Sequence, residues 1–422
     1  SALALAAERG ANVAVVSMGQ LEIYSDQVRD AFQSQLKNLC QKYNMIICLA
    51  AGNDGPGLGT IADTAVLDYS ISVGAFSSPR MWMNDYGWVI DNSTLWYFSS
   101  FGPSPDGAVA PDLLAPGSAV STYPLWSDSI YHLEEGTSVA VPHVAGAAAL
   151  LRELAVTQMG MEDALAIINA LEKGAEYLAG YEPFEQGFGV VNVVRAWDYL
   201  QTESVVHRNI EATQFTPSYG YGQGYFSKSL QPGKLKLYLT NNGDQHEIVE
   251  IQTPDWIKAS QQELQLPSKS TRSVFLEYES LSNPGIYTDY VNINRILYPN
   301  EPIKILQTII VPYQLFQMNN GTLEASGELG PGKMMRYFYK IPAGMDKLTF
   351  QLQVQQGRAR IHVIAPDGCT DASNFAGKGQ VKNQSLVEMG YLNPQEGVWE
   401  VVVYSSSSLS DFQEKSSIYN LT

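Results

Sequence analysis

A hydroxyl at the start of an alanine-rich run is the first group in this chain that could do covalent chemistry. In the stretch EEGTSVAVPHVAGAAALL, from Glu134 to Leu151, a Gly136-Thr137 turn precedes Ser138 and small apolar residues follow at helical spacing. Serine is a weak nucleophile at its own pKa, so attack requires a base to take its proton and donors to hold the oxyanion that forms. A helix N-terminus at Ser138 supplies part of this, because its unpaired N–H groups and positive dipole end favour negative charge. Standing alone, a Gly-Thr-Ser turn before a helix is far more often a cap than a nucleophile.

Three further stretches shift that balance. AAGNDG ends a buried-type apolar run at Asn53, whose side-chain amide could donate to an oxyanion, although Asn-Asp-Gly by default is a turn. YFSSFGPSPDGAVAPDLLAPG, from Tyr97 to Gly117, is a loop system rich in proline and glycine. VVSMG places a small-residue strand end at Ser17 to Gly19, suited to lying beside an extended peptide.

These four blocks, in this order, resemble the subtilisin-like serine proteases. GTSVAVPHVAGAAALL is similar to the family's nucleophile block, with Ser138 at the catalytic serine, and AAGN to its oxyanion block, with Asn53 as donor. FSSFGP and PDLLAPG match two more family signatures, and GFGVVNVVRAWDYL resembles the end of the catalytic domain. Within the family, GNDGPGLGT, SSFGPSPDG and the β-rich second half resemble the tripeptidyl-peptidase II branch.

The resemblance implies a peptidase working through an acyl-enzyme on Ser138, with Ser17, Met18 and Gly19 on one side of a peptide substrate and Ala50, Ala51 and Gly52 on the other. In that branch a glutamate just after the Met-Gly pair holds the substrate's free amino terminus; here Gln20 stands there, with Glu22 two residues on. Endopeptidase and tripeptidyl exopeptidase both stay open. A non-catalytic reading, a pseudoprotease or scaffold that binds peptides, is the rival. No cofactor is required; the family allows a structural calcium, though no Asp-rich loop here earns a ligand assignment.

The base is the difficulty. The family's histidine, and the aspartate that orients it, precede the asparagine block, yet no histidine occurs before His132. His132 reads as solvated in a polar loop, His143 as a satisfied structural residue packed within the helix, and His207, His246 and His362 as linker or β-module residues. Losing the triad histidine costs about a millionfold in turnover, a figure measured on subtilisin, itself a member of the family. The resemblance therefore implies a partner, an N-terminal fragment or separate chain carrying the Asp and His, without which these 422 residues are nearly inert.

The elements that would position these residues follow from periodicity. From residue 1 to about 200, strand-like apolar runs alternate with helical patterns, as in a parallel sheet with helices on both faces. The expected fold is thus α/β and subtilisin-like. It is incomplete at its N-terminal side, because SALALAAERGANVAVV reads as a helix and a strand of a sheet entered halfway. After Leu200 the period changes to two. KLKLYLT, HEIVEIQ and SVFLEYE suggest an immunoglobulin- or fibronectin-like sandwich over 201–318, with NNGD as a turn; KLTFQLQVQQG and GVWEVVVYS suggest a second sandwich or jelly roll over 319–422. These modules read as supports packed on the catalytic part, with oligomerisation a further role open to them.

Totals limit the rest. A net charge of -17 argues against nucleic-acid binding through a basic face. Charged residues are only 16%, against about 25% in average globular domains, which leans towards a secreted protein. Three scattered cysteines make neither a zinc site nor a disulfide framework, and Cys40 and Cys48 read as core. The apolar run Ala145–Leu151 is far short of the ~18 residues a membrane span needs.

Overall fold

The computed structural model describes residues 2–18, 26–62, 65, 69–122, 126, 128–129, 131–202, 209–216, 220–228, 231–315, 321–379 and 384–422, with backbone only for 26–30. Helix and strand alternate through the first half: α1 (Ala2–Glu8), β1 (Val13–Val16), α2 (Asp26–Tyr43), β2 (Ile46–Ala50) and β3 (Ile71–Ser77). Then come the one-turn α3 (Pro79–Met81), β4 (Thr94–Leu95), β5 (Leu113–Pro116), and the hairpin strands β6 (Ser118–Thr122) and β7 (Tyr131–Glu135). Four helices close this half: α4 (Thr137–Leu154), α5 (Ala164–Gly174), α6 (Pro183–Gln186) and α7 (Val193–Thr202).

Strands β1, β2, β3 and β5 run parallel, and β4 joins β3 antiparallel. Alternation along β2 shows why its whole run is apolar. Ile46, Cys48 and Ala50 enter one core with α4, α5 and α7, while Ile47 and Leu49 enter the other with α1 and α2. Burial pushes the Cys48 thiol up to about 12, as suits a core residue with no redox task. At the sheet's edge β1 pairs with β2 alone among the described residues.

The helix beginning at Thr137 continues through Met159, and its length and mean hydropathy of 1.4 are those of a bilayer-crossing helix. The short run Ala145–Leu151 hides this in the sequence. Its Ala140, Val144, Ala148 and Leu151 side nevertheless packs on the parallel sheet as a core helix.

Two sheets carry residues 210–311. One is ordered Tyr225–Ser227, Ile303–Val311, Gly285–Arg295, Glu247–Gln252, Glu263–Leu266; the other Ile257–Ala259, Ser270–Tyr278, Lys234–Asn241, Ile210–Thr216, Gly220–Gly222. Leu235, Leu237 and Leu239 point into the core between them. NNGD bends the chain as expected of a turn and joins strands of opposite sheets: Lys234–Asn241 pairs with Ser270–Tyr278 and Ile210–Thr216, and the turn carries the chain across to the other sheet. Asn241 makes that crossing, with its buried amide donating to the carbonyls of Gln245 (2.8 Å) and Leu266 (3.0 Å) while its oxygen accepts from Gly243 N–H (2.9 Å).

Another pair of sheets spans residues 313–421, with Leu348, Phe350, Leu352, Val354 and Trp399 in its core. A further apolar cluster joins all three regions: Leu58, Phe101 and Phe184 meet Leu306 and Ile310, and also Phe338 and Val398.

At this junction His362 is buried, 5.6 Å from the Tyr97 ring, and its Nε2 has no hydrogen-bond partner among the described residues. Burial first, and the Arg360 charge second, lower its pKa to about 3 from an ordinary 6.5. The folded state thus keeps His362 neutral where the unfolded chain takes up a proton, so its stabilising contribution is complete above pH 6.5 and lost as pH falls towards 3. Between pH 7 and pH 4.5 the wild type should lose about 2–3 kcal/mol more stability than His362→Phe, read from denaturant midpoints at the two pH values. Equal losses would mean that His362 is protonated in the fold.

Candidate functional site

The hydroxyl of Ser138 sits in the first turn of α4, exposed, at the C-terminal ends of the parallel strands. Open parallel sheets place ligands at this end. Its Oγ donates to the Ser17 carbonyl just past β1 (3.1 Å), and Ser17 Oγ donates back to the Ser138 carbonyl (3.3 Å). The helix is thereby tied to the edge strand.

Asn53 emerges three residues beyond β2. Its Oδ1 accepts both the Thr137 backbone N–H (2.9 Å) and the Thr137 hydroxyl (3.0 Å), and that hydroxyl in turn accepts Gly52 N–H (3.3 Å). Since the carbonyl end of the amide is held by Thr137, its NH2 end must face elsewhere. A Cβ placed on Gly136 would lie 3.4 Å from Asn53 Nδ2 and 3.6 Å from the Ser138 backbone N, so these two donors flank one point beside Ser138. Ser138 and Asn53, 85 positions apart, share one site.

The Ser99-Ser100 pair braces the Asn53 loop. Ser100 N–H donates to the Gly52 carbonyl (3.0 Å), Ser100 Oγ accepts Asp54 N–H (3.0 Å), and Ser99 Oγ accepts Ala75 N–H (3.0 Å). Asp112 of the PDLLAPG block ties β5 to β3 by accepting the Ser72 N–H and hydroxyl, both at 2.7 Å. These blocks act through hydrogen bonds that fix the floor of the site.

Of the remaining candidates, Ala50 and Ala51 are buried beneath the loop with Gly52, Ser17 contacts Ser138, and Met18 is 76% exposed beside it. Gly19, Gln20 and Glu22 lie outside the described residues, as does His207. His143 departs from expectation. It is exposed, on the side of α4 away from the sheet, with Nδ1 2.9 Å from the Val139 carbonyl. His132 stands on strand β7, not in a loop, 3.5 Å from Glu134. His246 is exposed and His362 buried in the β-rich half. Among the described residues, the Ser138 hydroxyl hydrogen-bonds the Ser17 carbonyl and not a histidine. Sequence reasoning also missed Thr137, whose only signal was its place between the glycine and the serine.

Comparison with known proteins places this geometry. Residues 1–189 match the profile of the Subtilase family, peptidase S8. The chain is 29% identical over 379 residues to pyrolysin of Pyrococcus furiosus, covering 81% of this chain and 27% of pyrolysin. It is 34% identical over 171 residues to tripeptidyl-peptidase 2 of Drosophila melanogaster, covering 39% of this chain and 12% of that protein. The crystal structure of tripeptidyl peptidase 2 superposes on the whole chain with a TM-score of 0.76 at 19% identity, using 35% of its own length. That likeness extends the shared fold through the β-rich half. The chain thus spans only about a quarter of pyrolysin and an eighth of the fly protein.

Gly52 tests the bracing of the loop. Its φ is +110°, and an added Cβ would fall 2.7 Å from Ser100 Oγ, whereas Gly10, at φ +88°, has open space around it. Gly10→Ala should cost about 1–2 kcal/mol of backbone strain. Gly52→Ala should cost about 1–3 kcal/mol more from overpacking, measured by urea denaturation. Equal costs would show that Ser100 does not press on this turn.

Proposed function

Residues 1–189 being a subtilase-family segment of the serine-peptidase class, we propose that this chain carries the nucleophile and oxyanion half of a peptide-cleaving site. The observation that carries this reading is the pinned Asn53 amide, whose oxygen is occupied by Thr137 and whose nitrogen lies with the Ser138 N–H beside the nucleophile. Ser138 Oγ attacks the scissile carbonyl carbon and forms the C–O bond, and its proton passes to a histidine. Asn53 Nδ2 and the Ser138 N–H hold the oxyanion, to which the positive end of the 18-residue α4 adds. Collapse breaks the C–N bond as the histidine protonates the leaving amine, and water then releases the acyl group by the same route in reverse. No cofactor enters these steps.

We assign that histidine and its aspartate to polypeptide outside the described residues. His143 lies five positions beyond Ser138, which turns it well away around the helix, and its Nδ1 is bonded to the Val139 carbonyl. Among the described residues β1 has no strand on its outer edge, which supports an incoming strand there; Val15 is 43% exposed on β1, and Met18 just beyond it is exposed too. On this reading residues 1–200 are the catalytic part and 201–318 and 319–422 are supporting modules. A peptide substrate would extend along Ser17–Gly19 on one side and Ala50–Gly52 on the other.

In the full-length protein, a fluorophosphonate probe should label Ser138, and Ser138→Ala should abolish both labelling and turnover. Asn53→Leu should slow turnover by about a hundredfold to a thousandfold, the magnitude measured for one oxyanion donor in subtilisin. Full turnover in Asn53→Leu would remove the oxyanion role. A folded full-length protein that never labels at Ser138 would favour a peptide-binding scaffold.

A further inference from the structure

A carboxylate in the last β-sheet reaches back to the catalytic half. Glu400 is completely buried, and its two oxygens each lie 3.1 Å from the backbone N of Leu58, five residues beyond Asn53. Two cations from separate regions share this carboxylate: Lys228 Nζ at 3.1 Å and Arg336 Nε at 3.5 Å. Arg336 also donates to the Pro56 carbonyl (3.1 Å), pairs with Glu185 before α7 (2.5 Å) and lies over the Phe101 ring. Side chains complete the enclosure. Ile364 meets Gly57, and Phe226 meets Gly59.

This enclosure answers a specific weakness. GNDGPGLGT has four glycines in nine residues, so the segment carrying the oxyanion donor has little conformational preference of its own. A donor must nevertheless be held within about 0.5 Å of its productive place. Ser100, through Gly52 and Asp54, and the Phe98 carbonyl, through Gly55 N–H, fix the beginning of the loop. Its far end, Pro56 to Leu58, is held by Arg336 and Glu400 from the last β-rich region.

We propose that Glu400, with Arg336 and Lys228, is a positioning residue for the proposed peptidase: it sets the Asn53 amide by clamping the 56–58 backbone, so the β-rich half contributes to catalysis and not only to folding. The inference rests on the proposed oxyanion role of Asn53. A buried carboxylate shared by two cations and a main-chain N–H is expensive to break from one side, which makes the clamp stiff. Its partners come from regions far apart in the chain. Correct placement of the oxyanion donor therefore follows only when all three regions have docked.

The experiment is a double-mutant cycle in the full-length protein, with kcat expressed per Ser138 site titrated by fluorophosphonate. Glu400→Gln should lower kcat by about tenfold with KM within twofold, since small misplacements of catalytic groups are costly. In an Asn53→Leu background the same change should cost less than twofold, because the group it positions is gone. Amide exchange across 54–60 should quicken in Glu400→Gln. Glu400→Asp, which keeps the charge for both cations but withdraws the carboxylate from Leu58 by one methylene, should reproduce the loss and serves where Gln prevents folding. Equal losses in both backgrounds, or a wild-type kcat per titrated site, would reduce Glu400 to a docking residue and overturn the proposal. Failure of wild-type Ser138 to react would instead overturn the peptidase reading, and unchanged exchange at Leu58 would then remove the clamp as well.

Discussion

Two hydrogen bonds from Thr137 decide which end of the Asn53 amide is available, and the first half of the fold is arranged around them. The amide oxygen accepts from the Thr137 backbone and hydroxyl, so it is bound to the first turn of the helix that carries Ser138. Orientation of an amide is otherwise a two-way choice of similar energy. Here the choice is made by the helix that presents Ser138, which couples the amide and the hydroxyl to one rigid element. Both rest on buried structure: α4 on the sheet, and Asn53 on the end of β2, all five of whose residues are buried.

The β-rich half is joined to this arrangement by more than apolar contact. The shared cluster around Leu58, Phe101 and Phe184 is non-directional and would tolerate small slips. The carboxylate of Glu400 is directional, because a completely buried charge must keep its cations and its main-chain donor together. Burial without those partners would cost several kcal/mol, so mis-docked arrangements are penalised more than the native one is favoured. His362 adds an opposite sensitivity at the same junction, a ring that must stay neutral to remain buried.

Legibility in the sequence followed the range of the forces. Period-two patterns such as Leu235, Leu237 and Leu239, and the unbroken apolar run of β2, report burial by nearby chain and were readable directly. Ser138 and Asn53 could be singled out because their blocks are local, each a strand end or helix start with its turn, and the structure brings the two together. NNGD was readable as a bend, but a turn sequence does not say which sheet receives the next strand; Asn241 decides that through partners up to 25 residues away. His143 misled because a histidine in an apolar helix suggests burial, whereas the face it occupies is uncovered among the described residues. Glu400 could not be found at all: it lies 342 positions from the Leu58 N–H it accepts, in a strand whose pattern is otherwise apolar.

The state of the Ser138 proton follows from its present partner. It rests on the Ser17 carbonyl, an acceptor that cannot keep a proton, so the hydroxyl is oriented without being activated. Activation needs a base that can displace that carbonyl as the hydrogen-bond acceptor, and such a base has to approach where Ser17 lies, at the end of β1. The same strand has no partner on its outer edge among the described residues, and Val15 on it is exposed. Chain that pairs with this edge would cover an exposed ladder of backbone groups and bring its own strand ends to the level of Ser138. Under the function proposed above, one docking event would serve two needs, closing the sheet and delivering the proton acceptor to Ser138.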